Sequence, residues 1–190
     1  MYIIFLLTIL FIKLFVPKQN NIELPNNIKK SFKIDTIILI ALTILEIFIL
    51  FSIVFKQKYI QNFFVKIPDI YRTVGVVVGY LGTIVISITM FKLKKVYSAT
   101  LSIRNNHKLV KDGIYKYIRH PIYTGYLLLH IGVTLSLSNI IVAIVWIGGL
   151  IVFLFHRIPK EEELLEYYFG DEYIRYKSTT GLLFPKLSKK

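Results

Sequence analysis

Apolar residues gather in five runs along the chain, residues 2–16, 34–55, 73–91, 121–137 and 140–155, separated by polar and basic segments. The run at 34–55 predicts a helix about 33 Å long, which matches the hydrocarbon core of a bilayer. Residues 2–16 are short for a span and carry Lys13, which can snorkel toward the interface. A cleaved signal peptide is disfavoured there, because no basic residue precedes the run and no small-residue cleavage site closes it. Residues 17–33 read as a polar loop with two prolines, and Pro68-Asp69 reads as the start signal of the third helix. Gly75, Gly79 and Gly82 place small residues on one face of that helix, as close packing in lipid requires. Ser138-Asn139 between the last two runs predicts a tight helical hairpin. The expected fold is all-α, an integral membrane bundle of about five transmembrane helices with a cytosolic C-terminal helical segment.

Charge orients this bundle. Eight lysines and arginines (Lys92, Lys94, Lys95, Arg104, Lys108, Lys111, Lys116 and Arg119) mark residues 92–119 as cytosolic. Both ends of the hairpin then lie in the cytosol, the N-terminus lies outside, and residues 56–72 are external despite four basic residues. Beyond the hairpin, Pro159 fits the first turn of a new surface helix that Glu161, Glu162 and Glu163 would favour and Gly170 would close. Asp171-Glu172-Tyr173 is expected to open another short helix before Gly181 and Pro185. The basic tail, Lys186, Lys189 and Lys190, is suited to anionic lipid. Two regions are expected: N-terminal transmembrane helices over 1–91, and a cofactor-binding and catalytic region over 92–190.

Composition supports lipid as the solvent. With 190 residues, 55% of them hydrophobic, and a mean hydropathy of +0.60, the chain has more apolar surface than one soluble core of this length buries. A formal charge of +13 is explained by positive loops at an anionic membrane face, and no nucleic-acid module accompanies it. The absence of cysteine removes thiol nucleophiles and cysteine-zinc clusters, and no metal partner is expected. No glycine-rich phosphate loop, dinucleotide turn or serine elbow occurs. Glu46, deep in the second run, should face other helices or a wet cavity, and an interhelical hydrogen bond is its simplest role.

Chemistry concentrates in two polar clusters, residues 107–125 and 157–163, which the hairpin returns to one membrane face. Singly, their members have plain explanations. Arg119 and Arg157 read as positive-inside anchors, the glutamates as partners of a helix dipole, and Tyr115, Tyr117 and Tyr123 as an interfacial belt. Together they describe a pocket able to hold a ligand with carboxylate, ammonium and ring groups. His130 and His156 are read as packing or interfacial residues.

Leu109-Val110-Lys111-Asp112-Gly113-Ile114-Tyr115, then Arg119-His120-Pro121-Ile122-Tyr123, then Glu161-Glu162 with Leu165, Phe169-Gly170 and Tyr173 resemble the isoprenylcysteine carboxyl methyltransferases and related integral-membrane methyltransferases. The resemblance covers residues 96–186. It implies a small transmembrane bundle that holds S-adenosylmethionine in a cytosol-facing pocket closed by the C-terminal segment, with a lipophilic or prenylated acceptor entering from the bilayer. By position it implies that His107, Lys108, Leu109, Val110 and Tyr115 line the cofactor site. His120, Pro121, Ile122 and Tyr123 would continue it, and Glu161 would close it. Arg157 would face the acceptor carboxylate, with Arg119 grouped beside it as catalytic. Ile122 and Thr124 depart from the prenylcysteine enzymes, and the N-terminal half does not align. A phospholipid or small-molecule methyltransferase, an NADPH-dependent enzyme of the sterol-reductase type and a scaffold with a dead pocket remain as other readings.

Methyl transfer from a sulfonium to a carboxylate suits these residue types. Cation and anion meet and both charges disperse in the transition state, so a site of low dielectric favours reaction, and an ionised acceptor requires no general base. Another acceptor would need one; His120 or Glu162 could serve, though no spacing along the chain points to either.

Overall fold

The computed structural model describes residues 26–93 and 109–186. The first apolar run, together with Lys94, Lys95, Arg104, His107, Lys108, Lys189 and Lys190, lies outside the described residues. The chain forms α1 (Asn26–Val54), a short α2 (Lys58–Gln61) and α3 (Asp69–Leu93). A single 3-10 turn (Gly113–Lys116) leads to α4 (Pro121–Leu137), α5 (Ile140–Phe169) and α6 (Asp171–Thr179). Among the described residues the only β pairing is two isolated bridges, Phe64 with Asn139 and Ile118 with Gly181.

Among the described residues, three segments are long and apolar enough to cross a membrane: Ile37–Val54, Asp69–Lys92 and Ile140–Phe169. Helix α4, with 17 residues, is about 25 Å long and so somewhat shorter than a typical hydrocarbon core. Large apolar side chains such as Ile37, Val77, Val152 and Phe155 point outward, which is stable only against lipid. The described residues are those of an all-helical membrane protein.

Two elements differ from the sequence expectation. Helix α1 begins at Asn26, so residues 26–33 are helical and not part of the loop expected over 17–33. A helix bonds its backbone internally and can run past the apolar boundary into polar sequence. Pro159 also does not begin a separate helix. It lies inside α5, whose α-helical part runs unbroken from Gly149 to Phe169. Proline there leaves the Phe155 carbonyl without its donor. The ion pairs that Arg157, Lys160, Glu161 and Glu162 make around that turn hold the helix through it. Earlier in α5, residues Ala143–Gly148 form a wider π-helical stretch. Gly170, with φ of 49°, ends α5, and Gly170 also leads into α6, as expected.

Helices α3 and α4 make the most extensive contact between elements. Gly75, Gly79 and Gly82 of α3 face Gly125, Leu129 and Gly132 of α4 so closely that the two backbones touch. A Cβ added at Gly82 would lie 2.6 Å from the Leu129 nitrogen. At Gly75, Gly82, Gly125 and Gly132 only glycine admits this approach, whereas a Cβ at Gly79 would make ordinary contact, and dispersion between the touching backbones is the return.

The α4–α5 hairpin turns at Ser138, in the left-handed conformation with φ of 53°, and at Asn139. The Asn139 side chain accepts from the Ile141 and Val142 amides at 3.0 and 3.3 Å, capping α5 as asparagine does at helix starts. The α2–α3 loop closes over this turn through Val65 N to the Ser138 carbonyl and Ile140 N to the Phe63 carbonyl. Residues 56–72 therefore sit at the hairpin end of the bundle, opposite the end where α4 begins. A core of Ile49, Leu50, Ile60, Val133, Leu137, Val142 and Trp146 fills that end. Midway along, Glu46 of α1 faces the His130 Nε2 of α4 at 3.5 Å, and the His130 Nδ1 meets the Tyr126 carbonyl at 2.7 Å. Glu46 thus faces another helix, as an ionisable residue at that depth must.

Replacing Gly132 by valine is expected to lower stability by about 1–3 kcal/mol, because the helix backbones must separate. Gly148, with nothing within 4 Å of an added Cβ, should accept alanine without loss. Thermal unfolding of the two variants in detergent separates these outcomes.

Candidate functional site

His120 caps α4 without a side-chain bond to the helix, and Pro121 occupies the first helical position, where its missing N–H costs nothing. This leaves the imidazole directed at α5. There, one turn past Arg157, the consecutive carboxylates Glu161 and Glu162 meet it. The His120 Nδ1 lies 3.5 Å from Glu161 Oε2, and its Nε2 lies 3.4 Å from Glu162 Oε1. Burial disfavours a charged imidazole, but the two carboxylates outweigh it and raise the His120 pKa above its ordinary 6.5.

Each glutamate has further partners. Glu161 Oε1 accepts from the Tyr123 hydroxyl at 2.7 Å and from Arg157 Nε at 2.9 Å. The Tyr123 ring stacks on His120 with centroids 5.7 Å apart. Glu162 accepts from Arg119 Nε at 2.7 Å, from Lys177 Nζ at 3.0 Å and from the Tyr173 hydroxyl at 3.3 Å. Burial and the Glu162 charge push the Tyr173 phenol far above its ordinary range, so it remains a neutral donor. Hydrogen bonds from Lys177 to Glu166 and Glu162 raise the lysine pKa and keep it cationic. Arg119 also donates to the Lys177 and Thr180 carbonyls, tying the C-terminal end of α6 to the start of α4.

The chain after α6 folds back over this cluster. Arg119 N donates to the Gly181 carbonyl at 2.8 Å, His120 N to the Leu182 carbonyl at 3.1 Å, and Gly181 N to the Tyr117 carbonyl at 3.0 Å. Thr124 donates its hydroxyl to the Leu183 carbonyl. Behind the cluster, Ile122, Tyr123, Leu150, Leu154 and Ile158 form an apolar layer. The ionic groups therefore lie between a dry helical wall and a C-terminal strap. From α1, Asp35 reaches the same place. Its Oδ1 accepts from Lys160 Nζ at 2.9 Å, and its Oδ2 lies 3.6 Å from Arg157 Nη1.

Of the residues expected at the site, Arg119, His120, Tyr123, Arg157 and Glu161 are brought together in this cluster. Pro121 is fully buried at the head of α4, and Ile122 faces the apolar layer behind. Tyr115 is buried in the 3-10 turn, where its carbonyl accepts from the Tyr176 hydroxyl at 2.7 Å. Leu109 and Val110 are half-buried on the approach to that turn. Asp35, Lys160, Tyr173 and Lys177 were not anticipated as site residues, and Glu162 was anticipated only as an alternative base. The four-residue spacing of Tyr173 and Lys177 on one helix face was a legible signal. An aspartate at the head of an apolar run was a weaker one.

These features define a membrane-embedded helical bundle with a buried ionic site at one end. Residues 74–167 match the model of the Isoprenylcysteine carboxyl methyltransferase (ICMT) family, and over that stretch the chain is similar to the family. It is 34% identical over 104 residues to Protein-S-isoprenylcysteine O-methyltransferase B of Arabidopsis thaliana, covering 54% of this chain and 53% of that protein. It is 33% identical over 122 residues to Protein-S-isoprenylcysteine O-methyltransferase of Schizosaccharomyces pombe, covering 63% and 50%. Against the Saccharomyces cerevisiae protein of that name the identity is 40% over 81 residues, 43% of this chain and 34% of the other. The chain spans about half the length of the first two of these relatives.

Because the His120 pKa is raised on folding, its contribution to stability is complete below pH about 6.5 and is lost as pH rises through the higher folded value. The melting temperature of the wild type minus that of His120→Gln should therefore be largest near pH 6 and shrink toward pH 9. A difference that stays constant over that range would show that His120 carries no proton-linked stability.

Proposed function

We propose that the chain is an S-adenosylmethionine-dependent methyltransferase of the membrane, transferring a methyl group to the carboxylate of a prenylcysteine-like lipophilic acceptor. The observation that carries this reading is the convergence of Arg157, Glu161, Tyr123 and His120, from the two motifs of the matched region, in one buried cluster. The names of the similar proteins supply the acceptor class.

The donor set suits an amino-acid and nucleoside ligand. Buried carboxylates accept from an ammonium group or ribose hydroxyls, and the stacked His120 and Tyr123 rings offer a flat face. A groove of about 540 Å³ lies between the 3-10 turn and α6, lined in part by Lys111, Lys116, Glu172, Arg175 and Tyr176, the last of which donates its hydroxyl to the Tyr115 carbonyl. On this reading Leu109, Val110, Tyr115, His120, Tyr123 and Glu161 hold the cofactor, along with His107 and Lys108, which lie outside the described residues. When bound, the cofactor supplies an electrophilic methyl on sulfur.

The remaining work belongs to the chain. Arg157 binds and orients the acceptor carboxylate, bidentate geometry being natural to a guanidinium. Glu161 holds Arg157 by its Nε. Arg119 acts through Glu162, keeping α6 and the C-terminal strap in place. The strap and the apolar layer exclude water, which strengthens the attraction of unlike charges. No proton moves, because the acceptor is already an anion. The acceptor enters between the helices from the bilayer, and lysines concentrated at the site end support a cytoplasmic orientation for a multi-pass chain.

Calorimetric titration of detergent-purified protein with S-adenosylhomocysteine and, separately, with NADPH tests the cofactor. Binding of the first alone is expected, and binding of NADPH alone would replace this reading with a reductase. Arg157→Lys should keep S-adenosylhomocysteine affinity within about threefold while lowering methyl transfer about 100-fold, because the planar fork is lost. Glu161→Gln should weaken S-adenosylhomocysteine binding itself. Equal loss of affinity in both variants would contradict the division of roles.

A further inference from the structure

Asp35 lies outside the family-matched stretch, on α1. It is 1% exposed at the head of the apolar run of α1, and an unpaired carboxylate buried to that degree is strongly disfavoured. Two cations on one face of α5, three residues apart, answer it. Lys160 donates to Oδ1 at 2.9 Å. Arg157 stands 3.6 Å from Oδ2, which accepts no hydrogen bond among the described residues. The Arg157 guanidinium is thus held at Nε by Glu161, on its own helix, and faced at Nη1 by a carboxylate from a different helix.

We propose that Asp35 is a positioning residue for Arg157, and that α1 thereby forms part of the acceptor site. This rests on the methyltransferase reading above. Glu161 and Tyr123 act on the guanidinium from α5 and α4. A second carboxylate, brought by α1 to the Nη1 side, biases the plane in which an acceptor carboxylate is received. The longer 3.6 Å contact lets the guanidinium shift toward an arriving anion without breaking a formed hydrogen bond. Lys160 holds Asp35 to α5 and satisfies its other oxygen. Without Asp35, the Lys160 ammonium is left as a second, misplaced cation beside the acceptor.

The test is a double-mutant cycle on the full chain in detergent, with Asp35→Asn, Arg157→Lys and the pair, read as kcat and KM with S-adenosylmethionine and an N-acetylated S-farnesylcysteine. S-adenosylhomocysteine affinity and melting temperature are measured on each protein. Asp35→Asn should lower kcat about tenfold or more through misorientation of the acceptor, with cofactor affinity within about threefold of wild type. The double variant should be no slower than Arg157→Lys alone, because Asp35 has nothing left to position. Effects that multiply in the double variant, or a lowered melting temperature with unchanged kcat, would assign Asp35 to structure only and overturn the proposal. Should Asp35→Asn fail to fold, Asp35→Glu replaces it, keeping the charge and moving the carboxylate by one methylene. The same fall in kcat is then expected, and wild-type turnover overturns the proposal. A wild type that neither binds S-adenosylhomocysteine nor transfers a methyl group sinks the methyltransferase reading, and this proposal with it. An active wild type matched by Asp35→Asn sinks the Asp35 assignment alone.

Discussion

Two consecutive carboxylates, Glu161 and Glu162, hold the working end of this protein together. Neither tolerates burial unpaired, and between them they draw in His120 and Tyr123 from α4, Arg119 from the segment before it, Arg157 from one turn earlier in α5, and Tyr173 and Lys177 from α6. Adjacent residues on a helix point about 100° apart, so the two side chains address different neighbours. Glu161 serves the Arg157 side and Glu162 the C-terminal strap, with His120 between them touching both. Breaking one member leaves a buried charge without its partner, which costs far more than the lost bond.

The cluster depends in turn on how the helices are packed. The glycine contact of α3 with α4 sets where α4 begins and hence where His120 points. The Asn139 cap and the loop that closes over it anchor the hairpin at the far end, so α5 returns to the site end in a fixed register. Pro159 lies inside the returning helix and not at its start. Continuity through Pro159 makes Arg157, Lys160, Glu161 and Glu162 members of one rigid element, with Arg157 and Glu161 four residues apart in sequence and bonded to each other. Had the helix broken there, the two glutamates and the arginine would have moved independently, and a site built on their mutual geometry would have been poorly defined.

Much of this was legible in residue order. The apolar runs at 34–55, 73–91 and 121–137 correspond to α1, α3 and α4, because uninterrupted apolar length has one stable outcome in lipid. The Ser138-Asn139 turn, the stop at Gly170 and the helix opening at Asp171 were marked by residue types with specific backbone and capping preferences. The small face of Gly75, Gly79 and Gly82 was legible for the same reason. The site motifs around Arg119-His120-Pro121 and Glu161-Glu162 were recognisable as a pair, which brought His120, Tyr123, Arg157 and Glu161 into consideration before any geometry was known.

What the sequence by itself determined is thus the solvent, the helices and the chemical types gathered near the site. Those follow from local composition, spacing and propensity. Which charge faces which was decided by tertiary structure. Asp35 and Arg157 are separated by more than a hundred residues, and nothing along the chain couples them. The helix through Pro159 likewise survives because distant partners offset a local cost. Arg119 looked like a reactive cation and is occupied with Glu162 and the carbonyls at the end of α6. Pairing of buried charges is a long-range constraint, satisfied only once α1, α4, α5 and α6 have met, and for that reason no local pattern could announce it.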